Sequence, residues 1–569
     1  MKIIGIHDGH NSCASYVDNG VIIDNLQEER LTRNKNEIDF PYNSLKEIFL
    51  TNSLKTNEID SFVFSSNFMH EYNYLRKYIE WHSAGEVQQV FESQKSEDYL
   101  NTIFKKRRDD RIKILLNQFD ISKDKVFFED HHTSHAAAAY YTSNYKYDDN
   151  ILILTCDGAG DGISSTVSIG YKNKIKMISK TGRNASLGKI FSRVTHYLGF
   201  KPWEHEYKLM GLAPYGNKDR GTKISKIFED IVSIKDKSTI FHNPKNIESS
   251  YIYSFLKKEL ERQQFHDISF GVQTYIENML VKWVNNCIEK YKINKIALGG
   301  GVFMNVKANL LISKIPKIKE IYISPSCGDE SLSMGASLKF HYDNYKKKEK
   351  IYPLKNSLYF GRVFSEEHIK SLLTGLNKNK FKVHKFKNIE KKIAALLFQD
   401  KIVARFKGRM EWGSRALGNR SILCNPSSLE VIQEINKIIK LRDFWMPFAP
   451  TILDTFRKKY LKNKKIQISD YMMLAFDSTE IAKKHLKAAV HPYDKTLRPQ
   501  ILRKKNNPDY YNLITEFYRL SKIGGILNTS FNLHGYPIVY KPKEAIEVFK
   551  KTGLQYLALE NYLITKKTI

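Results

Sequence analysis

The sequence predicts a two-domain α/β protein, and three observations support this fold class. Short β-branched runs such as KIIGIH and ILILTC alternate with amphipathic helical patterns such as YIENMLVKWVNNCIEKY, which is typical of sheets covered by helices. A strand, an Asp-Gly turn and a hairpin occur twice in the first half of the chain. In addition, 569 residues exceed what one hydrophobic core usually organises.

The repeated unit begins at the N-terminus and again near residue 151. In the first copy, KIIGIH leads into the turn Asp8 to Ser12, and two apolar stretches flank Asp18-Asn19-Gly20, a strong hairpin signal. In the second copy, ILILTC leads into the turn Asp157 to Gly162, and TVSIGY and IKMISK flank Lys172-Asn173. This duplication predicts two like subdomains that face each other.

Two more strand-to-turn junctions, IALGGGVFMN and EIYISPSCGDES, complete a predicted N-terminal domain at residues 1–350. Ligands of α/β sheets bind beyond the carboxyl ends of the strands, and each of the four polar turns follows such an end. The pattern breaks into KKKEK and Ile-Tyr-Pro between Tyr342 and Leu354, which we interpret as a linker. Residues 356–569 have their own strands and form a predicted second α/β domain.

The composition indicates a folded protein of a reducing compartment. Hydrophobic residues make up 42% of the chain and aromatic residues 12%, which is enough for packed cores. The five cysteines form no CxxC pair, so we expect neither a disulfide framework nor a zinc ribbon. The N-terminus lacks a signal-peptide pattern, and no apolar run approaches the roughly 18 residues of a spanning helix. We therefore expect a soluble, cytoplasmic protein with no membrane partner.

The formal net charge of +30 has two interpretations. It could serve phosphate-bearing ligands or nucleic acid. However, lysines are scattered along the whole chain instead of forming one basic arm, which favours solvated surfaces over a nucleic-acid footprint. We therefore do not expect nucleic acid as a partner.

The segment EDHHTSHAAAAYY predicts a metal site. Its alanine run favours a helix that Asp130 could cap, and His131 and His135 lie four residues apart, so both imidazoles can bind one ion. Asp157 and Asp329 each follow a strand and can point into the same crevice. Two imidazoles and two carboxylates with open positions suit Fe(II), Mn(II) or Zn(II) alike. The alternative is a histidine-rich helix start that only packs against a neighbour.

Two further patterns predict binding of phosphate-bearing ligands. The bare backbone of Gly299, Gly300 and Gly301, followed by Asn305 and a helix N-terminus, lets a nucleotide approach closely, although such glycines also occur in ordinary turns. In the second domain, GRMEWGSRALGNRSI clusters three guanidiniums that could hold phosphates bidentately. These guanidiniums belong to Arg409, Arg415 and Arg420, and further candidates are Lys440, Arg442, Arg498, Asn528, Ser530 and Asn532.

Together these motifs resemble those of the NodU/CmcH family of O-carbamoyltransferases, which includes the enzyme that carbamoylates tobramycin. The matching stretches follow the family's order from residue 8 to about residue 540, and include DGHNS, EERLTRNK, DHHTSHAAAA, CDGAGDG, EYKLMGLAPYG, GGGVFMN, GDESLSMGA, GRMEWGSRALGNRSI, PFAP, TLRPQ and LNTSFN. The resemblance implies an N-terminal actin-like domain, which is ribonuclease-H-like and duplicated, and a C-terminal YrdC-like α/β domain.

The resemblance also implies a two-step reaction that consumes ATP, with Mg as its counter-ion. The C-terminal domain would form carbamoyl adenylate from carbamoyl phosphate and ATP, and the N-terminal domain would transfer the carbamoyl group at an iron centre to a hydroxyl of a sugar or natural product. Carried over by motif, the metal ligands would be His131, His135, Asp157 and Asp329. The residues that contact the reacting adenylate would be His10 and Lys35. Carbamoyl phosphate and ATP would be bound by Arg415, Lys440, Arg498, Asn528 and Ser530. His10 could serve as the general base.

One position departs from the family's pattern. The family usually reads Arg-Pro-Phe-Ala-Pro, whereas this sequence has Met446 before Pro447, so an expected cation is missing. We expect Arg442 to compensate for it and to bind carbamoyl phosphate and ATP.

Three other functions are compatible with parts of the sequence. An actin-like sugar kinase would explain the duplication, but not the histidine pair or the second, arginine-rich domain. A tRNA threonylcarbamoyl-type transferase would suit the positive charge, but it requires a concentrated basic face and L-threonine. A nucleic-acid binder without catalytic activity would leave the predicted metal residues without a role.

Overall fold

The computed structural model describes residues 1–68, 97–247, 252–355, 357–462 and 469–567, and it divides into two compact units. Unit 1 comprises Met1–Glu28 and Asn36–Lys355, and unit 2 comprises Glu29–Lys35 and Asn356–Ile569. The units differ from the predicted domains, 1–350 and 356–569, chiefly because Glu29–Lys35, which contains helix α1 (Glu29–Thr32), packs with the C-terminal half of the chain.

Unit 1 contains two five-stranded sheets with the same strand order, β3-β2-β1-β4-β5 and β8-β7-β6-β9-β10. The strands are β1 Lys2–His7, β2 Cys13–Asp18, β3 Val21–Gln27, β4 Ser61–Phe64, β5 Val126–Phe128, β6 Ile151–Gly160, β7 Ile163–Tyr171, β8 Lys174–Gly182, β9 Lys295–Gly299 and β10 Glu320–Ile323. In each sheet an antiparallel meander is followed by two strands parallel to its first strand. The duplicated, actin-like architecture expected from the sequence is thereby confirmed.

Both predicted hairpins turn in the same way. Asn19 and Gly20 have φ angles of 48° and 80°, and Lys172 and Asn173 have φ angles of 47° and 60°. Two consecutive left-handed residues define a type I′ turn, whose twist matches that of the flanking strands. Asn and Gly tolerate this backbone best, which is why the turns were visible in the sequence.

Ten helices are assigned to the described part of unit 1. They are α2 Tyr42–Thr51, α3 Glu97–Phe119, α4 His131–Thr142, α5 Leu187–Tyr197, α6 Glu206–Leu212, α7 Lys218–Glu229, α8 Tyr253–Leu260, α9 Phe265–Tyr291, α10 Val306–Ser313 and α11 Leu332–Asn344. Helices α4 and α11 pack so closely that a Cβ atom at Gly335 would lie 1.9 Å from the carbonyl oxygen of Ser134. This contact brings the N-terminal ends of both helices, where the predicted metal ligands lie, to the same place.

The predicted linker between Tyr342 and Leu354 is instead packed on unit 1. Tyr342 is buried in the last turns of α11, and its hydroxyl donates a hydrogen bond to the carbonyl oxygen of Ile351 at 3.1 Å. The carbonyl oxygen of Pro353 accepts a bond from the N–H of Ile22. The lysine run suggested a solvated connection, but the apolar residues on either side of it make these contacts.

Unit 2 is built on a mixed sheet of eight strands in the order β12-β22-β21-β13-β15-β20-β16-β19. Its strands are β11 Tyr359–Phe360, β12 Phe381–Lys385, β13 Val403–Phe406, β14 Met410–Glu411, β15 Arg420–Cys424, β16 Ala449–Leu453, β17 Phe476–Asp477, β18 Thr496–Leu497, β19 Gln500–Leu502, β20 Gly525–Ser530, β21 Tyr556–Leu559 and β22 Tyr562–Lys566. Its further helices are α12 Glu366–Thr374, α13 Ile389–Phe398, α14 Glu430–Ile435, α15 Arg457–Tyr460, α16 Glu480–His485, α17 Pro508–Ser521 and α18 Pro542–Lys551.

A hydrophobic core that includes Phe406, Leu527 and Leu557 joins this sheet to its helices. The α/β class predicted for the C-terminal domain is thereby confirmed. A π-helical turn, Asn436–Lys440, follows α14 and ends at Leu441, which has a left-handed φ of 46°. In the portions of both units that the structure describes, every helix is too short or too polar to cross a membrane.

Candidate functional site

The four predicted metal ligands come together in unit 1. His131 and His135 lie in the first turns of α4, Asp157 lies in β6, and Asp329 lies in a short 3₁₀ turn before α11. One ligand atom from each residue can be chosen so that all four atoms lie within 4.8 Å of one another. The sequence brings them together because both histidines face one side of a helix and each aspartate stands at or just beyond a strand end.

The distances within this metal-ligand quartet fit a single ion. Oδ2 of Asp157 lies 3.2 Å from Nε2 of His131 and 3.1 Å from Nε2 of His135. Oδ1 of Asp329 lies 3.4 Å from Nε2 of His135 and 3.8 Å from Nε2 of His131. Atoms bound to one transition-metal ion at about 2.1 Å are separated by about 3 to 3.5 Å. The side chains of Asp157 and Asp329 are 15% and 21% exposed, so a ligand can approach from the carboxylate side.

The quartet is strongly coupled electrostatically. Burial opposes ionisation of Asp157, but hydrogen bonds and charge from His131 and His135 hold its pKa well below its usual range. Burial likewise opposes protonation of His135, but hydrogen bonds to Asp157 and Asp329 raise its pKa to about 9. The two carboxylates thus create a site that favours positive charge, which a bound cation satisfies in the same way as protons do.

Hydrogen bonds orient the helix that bears the histidines. Asp130 caps α4 as expected from the sequence, accepting a bond from the N–H of Thr133 at 2.7 Å. The hydroxyl of Ser331 lies 3.3 Å from Nδ1 of His135, the nitrogen that faces away from the carboxylates. Partners of this kind fix the ring orientation of a metal-binding histidine.

His7 is a residue of this site that sequence reasoning missed. It ends β1, is buried, and its ring centroid lies 6.5 Å from that of His131. Its Nδ1 is 3.0 Å from the hydroxyl of Ser65, and its Nε2 is 3.0 Å from the carbonyl oxygen of His10. Its place at a strand end, directly before a polar turn, is the signal that could have found it.

His10 contacts His7 through its backbone carbonyl oxygen. Its ring forms an edge contact with Trp203, with the centroids 5.3 Å apart. Trp203 has a φ of 65°, an uncommon conformation for an aromatic residue, and the ammonium of Lys189 lies 5.2 Å from its ring centroid. Strained residues concentrate at functional sites. Nothing in the sequence alone singled out Trp203 or Lys189.

The predicted glycine loop lies directly against the quartet. Gly300 has a φ of 92°, and a Cβ there would lie 2.4 Å from the carbonyl oxygen of Cys156. A Cβ at Gly301 would lie 2.8 Å from Oδ1 of Asp157. Asn305 caps α10 and exchanges side-chain hydrogen bonds with Gln273 at 2.9 and 3.0 Å. The loop therefore allows the chain to approach Asp157 closely.

Five basic residues of unit 2 influence one another electrostatically, and we call them the cationic site. They are Lys35, Arg415, Lys440, Arg442 and Arg498. Burial, followed by the charges of Arg415 and Arg442, lowers the pKa of Arg498 well below its usual range. Burial, followed by the charges of Arg442 and Lys35, does the same to Lys440. Apart from burial, the charges that act on Lys440 and Arg498 are those of other cations. Such a cluster favours a bound anion.

The strand β20 and the loop after it supply polar groups to this site. The ammonium of Lys440 donates to Oγ of Ser530 at 3.1 Å and to Oδ1 of Asn532 at 2.7 Å. Asn528 donates to the carbonyl oxygen of Ala416 at 3.0 Å. Its own side-chain oxygen is buried and has no hydrogen-bond partner among the described residues. The strand β20 and the loop after it therefore contact both Lys440 and the segment of Ala416.

One prediction needs correction. Arg420 was grouped with the phosphate-binding candidates, but its guanidinium donates to the carbonyl oxygens of Lys407, Gly408 and Asn419 and stacks on Phe406 at 3.5 Å. It is fully buried and stabilises the sheet instead of reaching a ligand.

Arg409, a second member of that group of three, is exposed. Of the two residues expected at the reacting adenylate, the structure assigns His10 to unit 1 and Lys35 to unit 2.

Comparison with known proteins agrees with these two units. A family model described as "Carbamoyltransferase N-terminus" matches residues 2–338, and one described as "Carbamoyltransferase C-terminus" matches residues 394–566. The uncharacterized protein MJ1051 of Methanocaldococcus jannaschii is 34% identical over 99% of this chain and 99% of its own length.

Two rhizobial proteins are also similar. Nodulation protein NolNO of Sinorhizobium fredii is 27% identical over 79% of this chain and 65% of its own length. Nodulation protein U of the same species is 24% identical over 71% of this chain and 72% of its own length. The chain therefore belongs to the carbamoyltransferase family and is an enzyme that transfers carbamoyl groups.

Proposed function

We propose that the chain is an ATP-dependent O-carbamoyltransferase that works through carbamoyl adenylate. Unit 2 forms the adenylate from carbamoyl phosphate and ATP, and unit 1 transfers the carbamoyl group to a hydroxyl of a sugar or another natural product. The main support is that the two units contain candidate sites of different chemistry. A cationic site in unit 2 suits polyanionic substrates, and a metal-ligand quartet in unit 1 suits carbonyl chemistry.

In the first step, the cationic site binds carbamoyl phosphate and MgATP. Water cleaves carbamoyl phosphate to carbamate and phosphate, a carbamate oxygen bonds to the α-phosphorus of ATP, and pyrophosphate leaves. Arg415, Arg442 and Arg498 neutralise charge on the phosphates, and Lys440, held by Ser530 and Asn532, presents its ammonium to them. Arg442 also stands in for the cation that the family has where this chain has Met446.

In the second step, the acceptor hydroxyl attacks the carbamoyl carbon and AMP leaves. His10 accepts the hydroxyl proton, and His7 orients His10 through its bond to the His10 carbonyl oxygen at 3.0 Å. The quartet would hold a divalent ion, which we expect to be Fe(II) and which supplies Lewis acidity at the carbamoyl carbonyl. The backbone of Gly300 and Gly301 lies against Asp157 and Cys156, and we assign the adenylate to this glycine loop.

A test follows the products of the full-length protein, loaded with Fe(II) without oxygen, after incubation with labelled carbamoyl phosphate and MgATP. The proposal requires pyrophosphate, and it requires AMP together with a gain of one carbamoyl unit when a suitable alcohol is present. A sugar kinase would instead release ADP, and a threonylcarbamoyl-type enzyme would depend on L-threonine. A mass-spectrometric screen of candidate alcohols then identifies the acceptor class.

A further inference from the structure

We infer that Glu29–Lys35 contributes to anion binding at the cationic site of unit 2. Arg30 positions the loop that contains Gly413, Arg33 positions the loop that follows β20, and Lys35 adds a cation. We call these residues the N-terminal segment. The inference depends on the proposed function for the identity of the substrates, but not for the presence of an anion site. It assigns roles to residues that lie more than 300 positions away in sequence from the rest of unit 2.

Arg33 holds the loop that follows β20. Its Nη1 and Nη2 atoms donate to the carbonyl oxygens of Ile538 and Pro537, each at 2.7 Å. The same loop contains Asn532, whose side-chain amide spans it by donating to the carbonyl oxygens of Leu533 and Tyr536. Because Oδ1 of Asn532 accepts the bond from Lys440, the fork of Arg33 supports the residue that places this ammonium.

Arg30 holds the other loop. Its Nη2 atom donates to the carbonyl oxygen of Gly413 at 2.6 Å, and its side chain is fully buried. Gly413 has a φ of 91°, so the chain turns sharply there, two residues before Arg415. A buried guanidinium on the carbonyl of this turn fixes the direction in which Arg415 leaves it.

Lys35 lies at the end of the N-terminal segment. Arg33 and Asn36 have left-handed φ angles of 67° and 54°, so the chain turns on both sides of Lys35. The N–H of Arg33 closes α1 by donating to the carbonyl oxygen of Glu29 at 3.0 Å. Lys35 is half-buried, and its charge contributes to the lowered pKa of Lys440, so the two cations lie in one neighbourhood of unit 2.

The test measures anion binding and catalysis separately in the full-length protein. Inorganic pyrophosphate serves as the anion probe in calorimetry, and pyrophosphate release from carbamoyl phosphate and MgATP reports catalysis. The variants are K35M, R33M and R33K, and the matched control is K46M, which removes an exposed lysine of α2 in unit 1. Metal content and the thermal midpoint are recorded for each variant.

We expect K35M to weaken pyrophosphate binding about tenfold, because one charge-assisted contact is lost. We expect R33M to raise KM for both substrates by a larger factor, and R33K to recover part of that loss because its ammonium can reach one carbonyl oxygen. K46M should behave as wild type, and metal content should not change in any variant.

If K35M and R33K both bind pyrophosphate as wild type does, the inference is wrong, even if R33M fails to fold. It is also wrong if K35M slows only carbamoyl transfer, because Lys35 would then act at the other site. If wild type binds pyrophosphate but makes no adenylate, the proposed function fails. Weaker pyrophosphate binding by K35M in that case still supports the inference.

Discussion

The carboxylate of Asp161 accepts a hydrogen bond from the backbone N–H of His131 at 2.9 Å. It also accepts bonds from the hydroxyl of Ser66 at 2.6 Å and from the N–H groups of Asn67 and Phe68, each at 2.9 Å. One carboxylate therefore ties the chain after β4 to the first residue of α4. Because that residue belongs to the quartet, the geometry of the metal site depends on a side chain that is not itself a ligand.

We expect D161N to lower metal affinity by about tenfold to a hundredfold, since an amide nitrogen would face N–H donors. A chelator competition with Fe(II) or Co(II) measures this affinity without recourse to activity. D148N alters an exposed aspartate in the loop before β6 and should bind metal as wild type does. Equal affinities of D161N and wild type would contradict the positioning role.

We expect H135A to abolish carbamoyl transfer while pyrophosphate release by unit 2 continues at the wild-type rate. The imidazole of His135 belongs to the quartet of unit 1, whereas we assign pyrophosphate release to the cationic site of unit 2. Transfer is measured by mass spectrometry of the acceptor, and pyrophosphate by a coupled assay. H384A, which alters an exposed histidine of β12, is the control. An equal loss of both activities in a folded H135A protein would refute the separation of the two steps.

We expect R498M to reduce pyrophosphate formation at least a hundredfold, because the site loses a guanidinium whose low pKa reflects burial among other cations. R498K should retain more activity than R498M, since it keeps the charge. R457M, at an exposed position in α15, controls for loss of one positive charge. Metal content serves as an independent check that unit 1 is unaffected.

Met446 and Arg442 offer a test of compensation. Arg442 donates to the hydroxyl of Thr529 at 3.1 Å, and its guanidinium lies 4.8 Å from the ring centroid of Phe448. We expect R442Q to raise KM for carbamoyl phosphate about tenfold, and M446R in that background to restore much of it. M446R alone should change KM by less than about threefold. If M446R fails to rescue R442Q, the two side chains do not serve the same anion.

The stability of unit 1 should depend on pH through His341. Its ring is buried, and neither nitrogen has a hydrogen-bond partner among the described residues. Burial, with a smaller effect of the N-terminal ammonium, lowers the pKa of His341 to about 4. In the unfolded chain this histidine binds a proton below about pH 6.5, whereas in the folded chain it does so only near pH 4. The free energy of unfolding therefore decreases as the pH is lowered from about 6.5 to about 4.

The expected decrease in the free energy of unfolding that is due to His341 is about 3 kcal/mol. Chemical denaturation of H341L at several pH values should show a smaller loss between pH 6.5 and pH 4 than wild type shows. H384L, at an exposed position, should keep the wild-type dependence. A parallel decline in H341L and wild type would show that other groups dominate acid unfolding.

Local sequence patterns predicted the two hairpin turns and the metal-ligand quartet of unit 1. The two turns at Asn19 and Lys172 were predictable because left-handed backbone restricts residue choice, and the quartet was predictable because helix and strand periodicities fix where side chains emerge. Arg420 could not be separated from Arg415 in the same way. Both have the same local sequence environment, and only the packed sheet shows that one guanidinium meets backbone carbonyls.

Trp203, Lys189 and the N-terminal segment illustrate the larger difficulty. Their importance comes from contacts between distant parts of the sequence, such as Arg33 with Pro537, and no local periodicity encodes such a contact. The resemblance to a family assigned the motifs to an N-terminal and a C-terminal domain by their order in the sequence. Lys35 lies among the motifs of the N-terminal domain, but the structure assigns it to unit 2.

Because Glu29–Lys35 belongs to unit 2, the protein cannot be divided into its two units at one position of the sequence. The chain passes from unit 1 to unit 2 and back before residue 36, so no single cut yields two complete halves. A gene split after residue 355 would leave the second product without Arg30 and Arg33. A chimaera that exchanges unit 2 between relatives must therefore also exchange Glu29–Lys35, seven residues encoded hundreds of codons before the rest of that unit.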